Sequence, residues 1–266
     1  MKKIILLFVI IASFTCLTAN SQGGLSLTVN DIKQVFDSFG VKGTFLFYDL
    51  KNDKFTIFNE ERADKSFLPA STFKILNSMI ALETGVIKDD CEKIEWDRKN
   101  YRYDGWNQDQ TLKTAFQYSV VWAYQELARD IGEKRMKYWI DKVGYGNSDI
   151  SGDIDTFWLS GELRITPRQQ VEFLKKLYRN ELPFSKRTMD IVKEIMIVGQ
   201  GPNYILRGKT GWTARVIPQI GWFVGYLEKG EDVYIFAVNI DMVNQNDAKA
   251  RTEIPKEIFK KLKLME

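Results

Sequence analysis

Apolar and polar positions alternate over residues 43–50, give way to the polar run Lys51-Asn52-Asp53-Lys54, and resume over 55–58. That period of two predicts a β-hairpin. After Pro69 the period lengthens: Ile75, Met79 and Leu82 share one face of a helix predicted over about 70–83 and stopped by Gly85. The helical period persists through the middle of the chain. One segment spans 121–131 and ends at Gly132; a second spans 133–143 and ends at Gly144. Thr166-Pro167-Arg168-Gln169 opens a third helix with an N-cap threonine, a proline at the first helical position and a capping glutamine, and Ser185 opens a fourth. Strands return over 204–209, 219–228 and 232–240, the latter two joined by the loop Lys229-Gly230-Glu231, and 254–264 reads as a closing amphipathic helix. Strands at both ends thus enclose a helical middle. The expected class is α/β of the α+β type: one antiparallel sheet drawn from both chain ends, flanked by helices, with a mostly helical subdomain of roughly 85–200 to one side and a binding crevice between the parts.

The first residues read differently. Lys2 and Lys3 precede an apolar run over 4–14 and then the small residues around Ala19 and Ser21, the pattern of a secretory signal peptide over 1–21. Cleavage after Ala19 or after Ser21 both fit, leaving 22–266 as a single domain exported to the periplasm. A lipid anchor on Cys16 is the alternative, which Ser13-Phe14-Thr15 suits poorly. The run is short for a membrane span and no other approaches that length, so no stable span is expected after cleavage. Removing the leader takes away two of the 38 basic side chains and leaves 36 against 35 acidic ones. A nearly neutral chain with no basic stripe is not built for nucleic acid. Cys91 then stands alone, which excludes an intrachain disulfide. The absence of histidine excludes Ser-His-Asp and Cys-His catalysis and the usual zinc sites; no metal is expected.

An enzyme made from this chain needs another base, and Ser71-Thr72-Phe73-Lys74 offers one. Residues three apart on a helix share a face, so Ser71 falls beside the Lys74 amine near a helix N-terminus, which favours developing negative charge. Phe67, Leu68, Phe73 and Ile75 make the surroundings apolar. Burial lowers a lysine pKa, and a neutral amine can take a serine proton. Alone, S-x-x-K arises by chance about once in a chain of this length and most often marks a solvated helix start. Lys209-Thr210-Gly211 is rarer, and it falls on a predicted strand where glycine would let a ligand approach the backbone. The two together are the signature of penicillin-recognising serine enzymes.

Ser119-Val120-Val121, Tyr145-Gly146-Asn147 and the stretch Phe157-Trp158-Leu159-Ser160-Gly161-Glu162-Leu163-Arg164-Ile165 follow the same order. With Pro69-Ala70 and Arg251, the chain from about Phe67 to Arg251 resembles the class D, oxacillinase-type, serine β-lactamases. The resemblance implies the penicillin-binding/β-lactamase-like fold and hydrolysis of the β-lactam ring of penicillins, hence antibiotic resistance. It implies Ser71 as nucleophile and Lys74 carboxylated by CO2 to N6-carboxylysine as the base of both half-reactions, with no other cofactor. Trp158 would donate its indole N–H to that carbamate and Val121 would shield it. Ser119 would relay a proton, or cap the following helix. Lys209, Thr210 and Gly211 would border the substrate, Arg251 would pair with its carboxylate, and the N–H groups of Ser71 and Trp212 would hold the oxyanion. Tyr145 and Asn147 read as structural. Glu162 lacks the companion asparagine that a class A deacylating base carries. The compact loop 213–218 resembles that of carbapenem-hydrolysing members, with Trp106 walling the other side. Rival implications are a β-lactam sensor domain and a D,D-peptidase, both of which would stay acylated; the peptidases carry Asn where this chain has Val121. Oligomeric state is not legible.

Overall fold

The structure, a computed structural model, describes residues 27–244 and 246–266; the expected leader over 1–21, with Cys16, lies outside them. Helix α1 (Val29–Phe39) leads into the hairpin β1 (Gly43–Asp49) and β2 (Lys54–Phe58), then the short α2 (Glu60–Ala63). A 3₁₀ turn, Ala70–Phe73, runs directly into α3 (Lys74–Glu83). The pair β3 (Lys93–Ile94) and β4 (Gln110–Thr111) precedes α4 (Leu112–Gln117), α5 (Val121–Ile131), α6 (Glu133–Val143), α7 (Pro167–Tyr178) and α8 (Lys186–Ile195). The chain closes through β5 (Ile197–Gly201), β6 (Tyr204–Trp212), β7 (Ile220–Lys229), β8 (Asp232–Asp241) and α9 (Asp247–Lys261).

Six strands form one antiparallel sheet in the order β2-β1-β8-β7-β6-β5, so the N-terminal hairpin pairs with the last strand of the chain. Side chains of a strand alternate between faces, and here both faces are covered. Phe45, Phe47, Phe236 and Val238 pack with Ile32, Phe36, Ile254 and Phe259 of α1 and α9. Their sequence neighbours Leu46, Tyr48, Ile235 and Ala237 point the other way, into the core shared with α3, α5 and α7. That double burial is why the last strands read as nearly unbroken apolar runs. Capping set the boundaries legible in advance: Thr166 accepts from Gln169 N while Thr166 N donates to Gln169 Oε1 at 2.9 Å. On this second face α7 crosses β8, β1 and β7, and the 3₁₀ turn lies against β6 and β7. The sheet therefore presents the end of β6 to the start of α3, where the site forms.

Three expectations shift. The 70–83 helix opens as a 3₁₀ turn. The strand beginning at Tyr204 continues through Gly211 to Trp212. The closing helix starts at Asp247, so Arg251 lies within it.

Candidate active site

Ala70 adopts φ +47°, in the left-handed region, which a non-glycine residue holds only when its surroundings determine it. They do so from two sides. Ala70 N donates to the Trp158 carbonyl at 3.0 Å, and Thr72 Oγ1 donates to the Pro69 carbonyl at 2.7 Å. In a 3₁₀ turn residues three apart eclipse one another, which sets Ser71 directly beside Lys74. Thr72 N donates to Pro69 O. The Ser71 N–H, at the open start of the turn, has no backbone acceptor among the described residues.

The Lys74 side chain is fully buried. Its Nζ donates to the Ser119 carbonyl at 2.7 Å and lies 3.2 Å from Ser119 Oγ, with the face of Tyr124 5.0 Å away. Among the described residues it has no carboxylate partner. Burial, reinforced by the cations Lys209 and Arg215, holds this amine well below the ordinary lysine range. Lys209 is nearly as buried. Its Nζ donates to Ser119 Oγ at 3.0 Å, and burial, with Arg251 adding repulsion, pushes it down to about 7. The Ser119 hydroxyl thus joins two depressed lysines, one on α3 and one on β6. Ser119 itself sits at φ +56°, a strained position at the junction of α4 and α5. It does not cap α5: Val120 occupies the cap, with no side-chain bond.

These groups open onto a cleft of about 570 Å³. Ser71, Ser119, Val121 and Thr210 line its floor, Trp106 and Tyr103 one wall, Trp212 and Arg251 the other. Arg251 reaches across from α9, donating to Gly211 O at 2.7 Å with its guanidinium over the Trp212 ring; burial lowers its pKa, and it has no ion pair among the described residues. The β6 backbone also faces the cleft. Thr213 N bonds Ile220 O, so the neighbouring pair Trp212–Gly221 is the wide, non-bonded kind and the Trp212 N–H points away from β7.

Trp158 is buried against Phe73, ring centroids 5.4 Å apart, and its Nε1 has no hydrogen-bond partner among the described residues. An orphaned buried N–H is rare and calls for a cause. Val121 and Leu159 complete the apolar lining. Gly211 plays a further part beyond the one its position in the sequence suggested. It lines the cleft, and a Cβ there would lie 3.0 Å from Pro69 O and 3.2 Å from Thr72 Cγ2, so glycine also admits the nucleophile turn against β6. Asn147 spans Glu162 O and Arg164 N at 2.9 Å each, which ties down the loop carrying Trp158. Glu162 is exposed and leans on Arg164 at 3.7 Å, away from the lysines. Tyr124 and Gln170 went unremarked in the sequence; for Tyr124 the signal was its position one helical turn beyond Val121.

Residues 43–262 match the family model of the penicillin-binding protein transpeptidase domain, and serine, lysine pair and sheet edge are arranged as that class of acyl-transfer protein requires. Among curated proteins, the chain is 47% identical to β-lactamase OXA-48 of Klebsiella pneumoniae over 207 residues, 78% of each chain. It is 42% identical to the probable β-lactamase YbxI of Bacillus subtilis over 87% of this chain and 86% of that one. The crystal structure of the class D β-lactamase YbXI from Nostoc superposes with a TM-score of 0.86 at 53% identity, covering 88% of this chain and 99% of that one. The chain belongs to the class D β-lactamase family and is a hydrolase of that kind.

Proposed function

We propose that the protein destroys penicillins of the oxacillin type through an ester on Ser71, with a carboxylated Lys74 as the base. One observation carries this: a fully buried amine, without a carboxylate partner among the described residues, one turn along from a serine that opens onto the cleft. Only a neutral amine adds CO2, and burial favours the neutral form of this one. The product would be a buried anion in need of donors, and the orphaned Trp158 Nε1 fits that need. In that state the lysine supplies a carbamate as general base to both half-reactions.

The remaining work falls to the chain's own groups. Arg251 and Lys209 bind the substrate carboxylate; the planar fork of Arg251 favours bidentate contact. The N–H groups of Ser71 and Trp212 receive the carbonyl oxygen as it gains charge. Ser71 Oγ bonds to the lactam carbon while its proton leaves toward Lys74. The C–N bond breaks, and the ring nitrogen takes a proton through Ser119 Oγ, which Lys209 serves from the other side with a pKa of about 7. Val121 and Trp158 keep bulk water from Lys74. Water then cleaves the ester and restores Ser71.

Mass spectrometry and drug turnover test this together. Mixing with benzylpenicillin should give a transient adduct of whole-drug mass and catalytic loss of drug, both abolished in Ser71→Ala. A ¹³C signal from labelled bicarbonate should appear in wild type and vanish in Lys74→Ala. A persistent adduct without turnover, as a sensor or D,D-peptidase would give, rejects the proposal, as does intact turnover in Lys74→Ala. Export to the periplasm belongs to the same proposal and is tested by cell fractionation with N-terminal sequencing.

A further inference from the structure

Tyr145-Gly146-Asn147 is a motif the chemistry above leaves without work, and behind it lies a fully buried amide. Gln170, on α7, donates from Nε2 to Thr72 Oγ1 at 2.8 Å and to Tyr145 OH at 3.4 Å. Thr72 passes the chain on, its hydroxyl donating to Pro69 O at 2.7 Å. Gln170, Thr72 and Tyr145 are all excluded from solvent. The edge of Tyr145 also meets Phe73, with centroids 5.7 Å apart at 67°. Gly146, at φ +59°, lets the chain pass so close to the Arg164 carbonyl that a Cβ would overlap it.

We infer that Gln170 is a positioning residue for the nucleophile: acting through the Thr72 hydroxyl and braced by Tyr145, it holds the 3₁₀ turn in the strained shape that presents Ser71 Oγ and N–H to the cleft. The strain is visible at Ala70, φ +47°. Three contacts oppose its relaxation: Ala70 N on Trp158 O, the close approach of β6 at Gly211, and the Gln170–Thr72–Pro69 chain. The third is the one that reaches the turn from the sheet-packed helix α7. It ties the turn to a helix that packs across three strands of the sheet. Loss of that tie lets the turn drift by a fraction of an ångström, and misplacement of reacting groups on the scale of 1 Å costs roughly a hundredfold in rate.

This inference rests on Ser71 being the nucleophile. Gln170→Leu removes the tie to Thr72 and the contact with the Tyr145 hydroxyl together; the Gln170 Oε1 has no partner among the described residues, so its loss strands no donor. Stopped-flow acylation by nitrocefin, normalised to active sites, should slow by about ten- to a hundredfold in Gln170→Leu with substrate affinity and bicarbonate requirement unchanged. Thr72→Val should slow it similarly, Thr72→Ser should keep most of the rate, and the Gln170→Leu/Thr72→Val double variant should be no slower than the worse single one. A wild-type acylation rate in Gln170→Leu overturns the inference, whether or not its melting temperature falls. So do effects of the two substitutions that simply multiply. Activity surviving in Ser71→Ala would instead overturn the reading of the nucleophile, so the two failures are separable.

Discussion

Replacing Trp158 by phenylalanine should leave the bare enzyme nearly unchanged and weaken the carboxylated one. In the bare enzyme the indole N–H is buried and, among the described residues, unpaired. An unmet buried donor costs about 1–3 kcal/mol. Phenylalanine removes that cost, keeps the stack on Phe73 and leaves a small void, whose cost is of similar size. The two nearly cancel, so the melting temperature in CO2-free buffer should move by no more than about 4 °C. In the carboxylated enzyme the same N–H would meet a charged oxygen, a bond worth about 1.5–3 kcal/mol. Its loss weakens CO2 binding by about ten- to a hundredfold. Nitrocefin hydrolysis in degassed buffer, titrated with bicarbonate, measures this directly: the half-activating concentration should rise by that factor, and excess bicarbonate should recover much of the rate. An unchanged half-activating concentration refutes the assignment of the indole as carbamate donor. A large loss of melting temperature with normal activation would show that Trp158 serves packing alone.

Lys209 gives a pH signature of defined sign. Its amine is near 7 in the fold and near 10.4 unfolded, so between these values the unfolded chain holds the extra proton. Stability from this group therefore rises with pH across that window, by up to about 1.4 kcal/mol per unit. It falls away as pH drops to 7, and urea unfolding should show a shallower pH slope in Lys209→Met. Arg251→Ala should raise KM for benzylpenicillin by about ten- to a hundredfold, the worth of a charge-assisted pair, with a smaller change in kcat; equal effects on both would place Arg251 elsewhere. Gly211→Ala forces its Cβ to 3.0 Å from Pro69 O and should slow acylation and lower the melting temperature together; normal kinetics would mean that β6 yields freely there. The compact 213–218 loop leads us to expect imipenem turnover, and a flat imipenem trace beside clear oxacillin hydrolysis would reject that.

The hairpin, the helical middle and the paired lysine motifs were legible because each has a local signature: a period, a cap, a short spacing. What was not legible depends on non-local packing. Strand β5, with two glycines in five residues, carries no alternation and exists because β6 pairs with it. The 3₁₀ opening of α3 could not be read, since Ser71 to Lys74 looks helical; it is imposed by Trp158 O and by β6 pressing on Pro69 and Thr72. Ser119 was found as a motif member, but its left-handed backbone, which disqualifies it as the cap of α5, comes from the tight α4–α5 junction. Gln170 was one residue past a recognised capping box, on the inner face of the same helix, and nothing in the sequence distinguishes a buried amide with work to do from one merely packed.

The charge balance of the cleft connects its two ligands. Lys74, Lys209 and Arg251 converge on it, and among the described residues none has a carboxylate partner. An unpaired buried cation is costly, so burial favours the neutral form of both lysines. Two anions would reverse this: a carbamate on Lys74 and the substrate carboxylate at Arg251. Lys209, which shares Ser119 Oγ with Lys74 and feels Arg251, lies between the two positions. Either anion favours its protonated form. Carboxylation of Lys74 would therefore favour Lys209 as the cation that a substrate carboxylate and a proton relay would both call for. Because such coupling is reciprocal, a bound drug would in turn favour retention of CO2. Among the described residues no carboxylate pairs with either lysine, which leaves the site responsive: a fixed carboxylate there would favour Lys74 as an ammonium and close it to CO2.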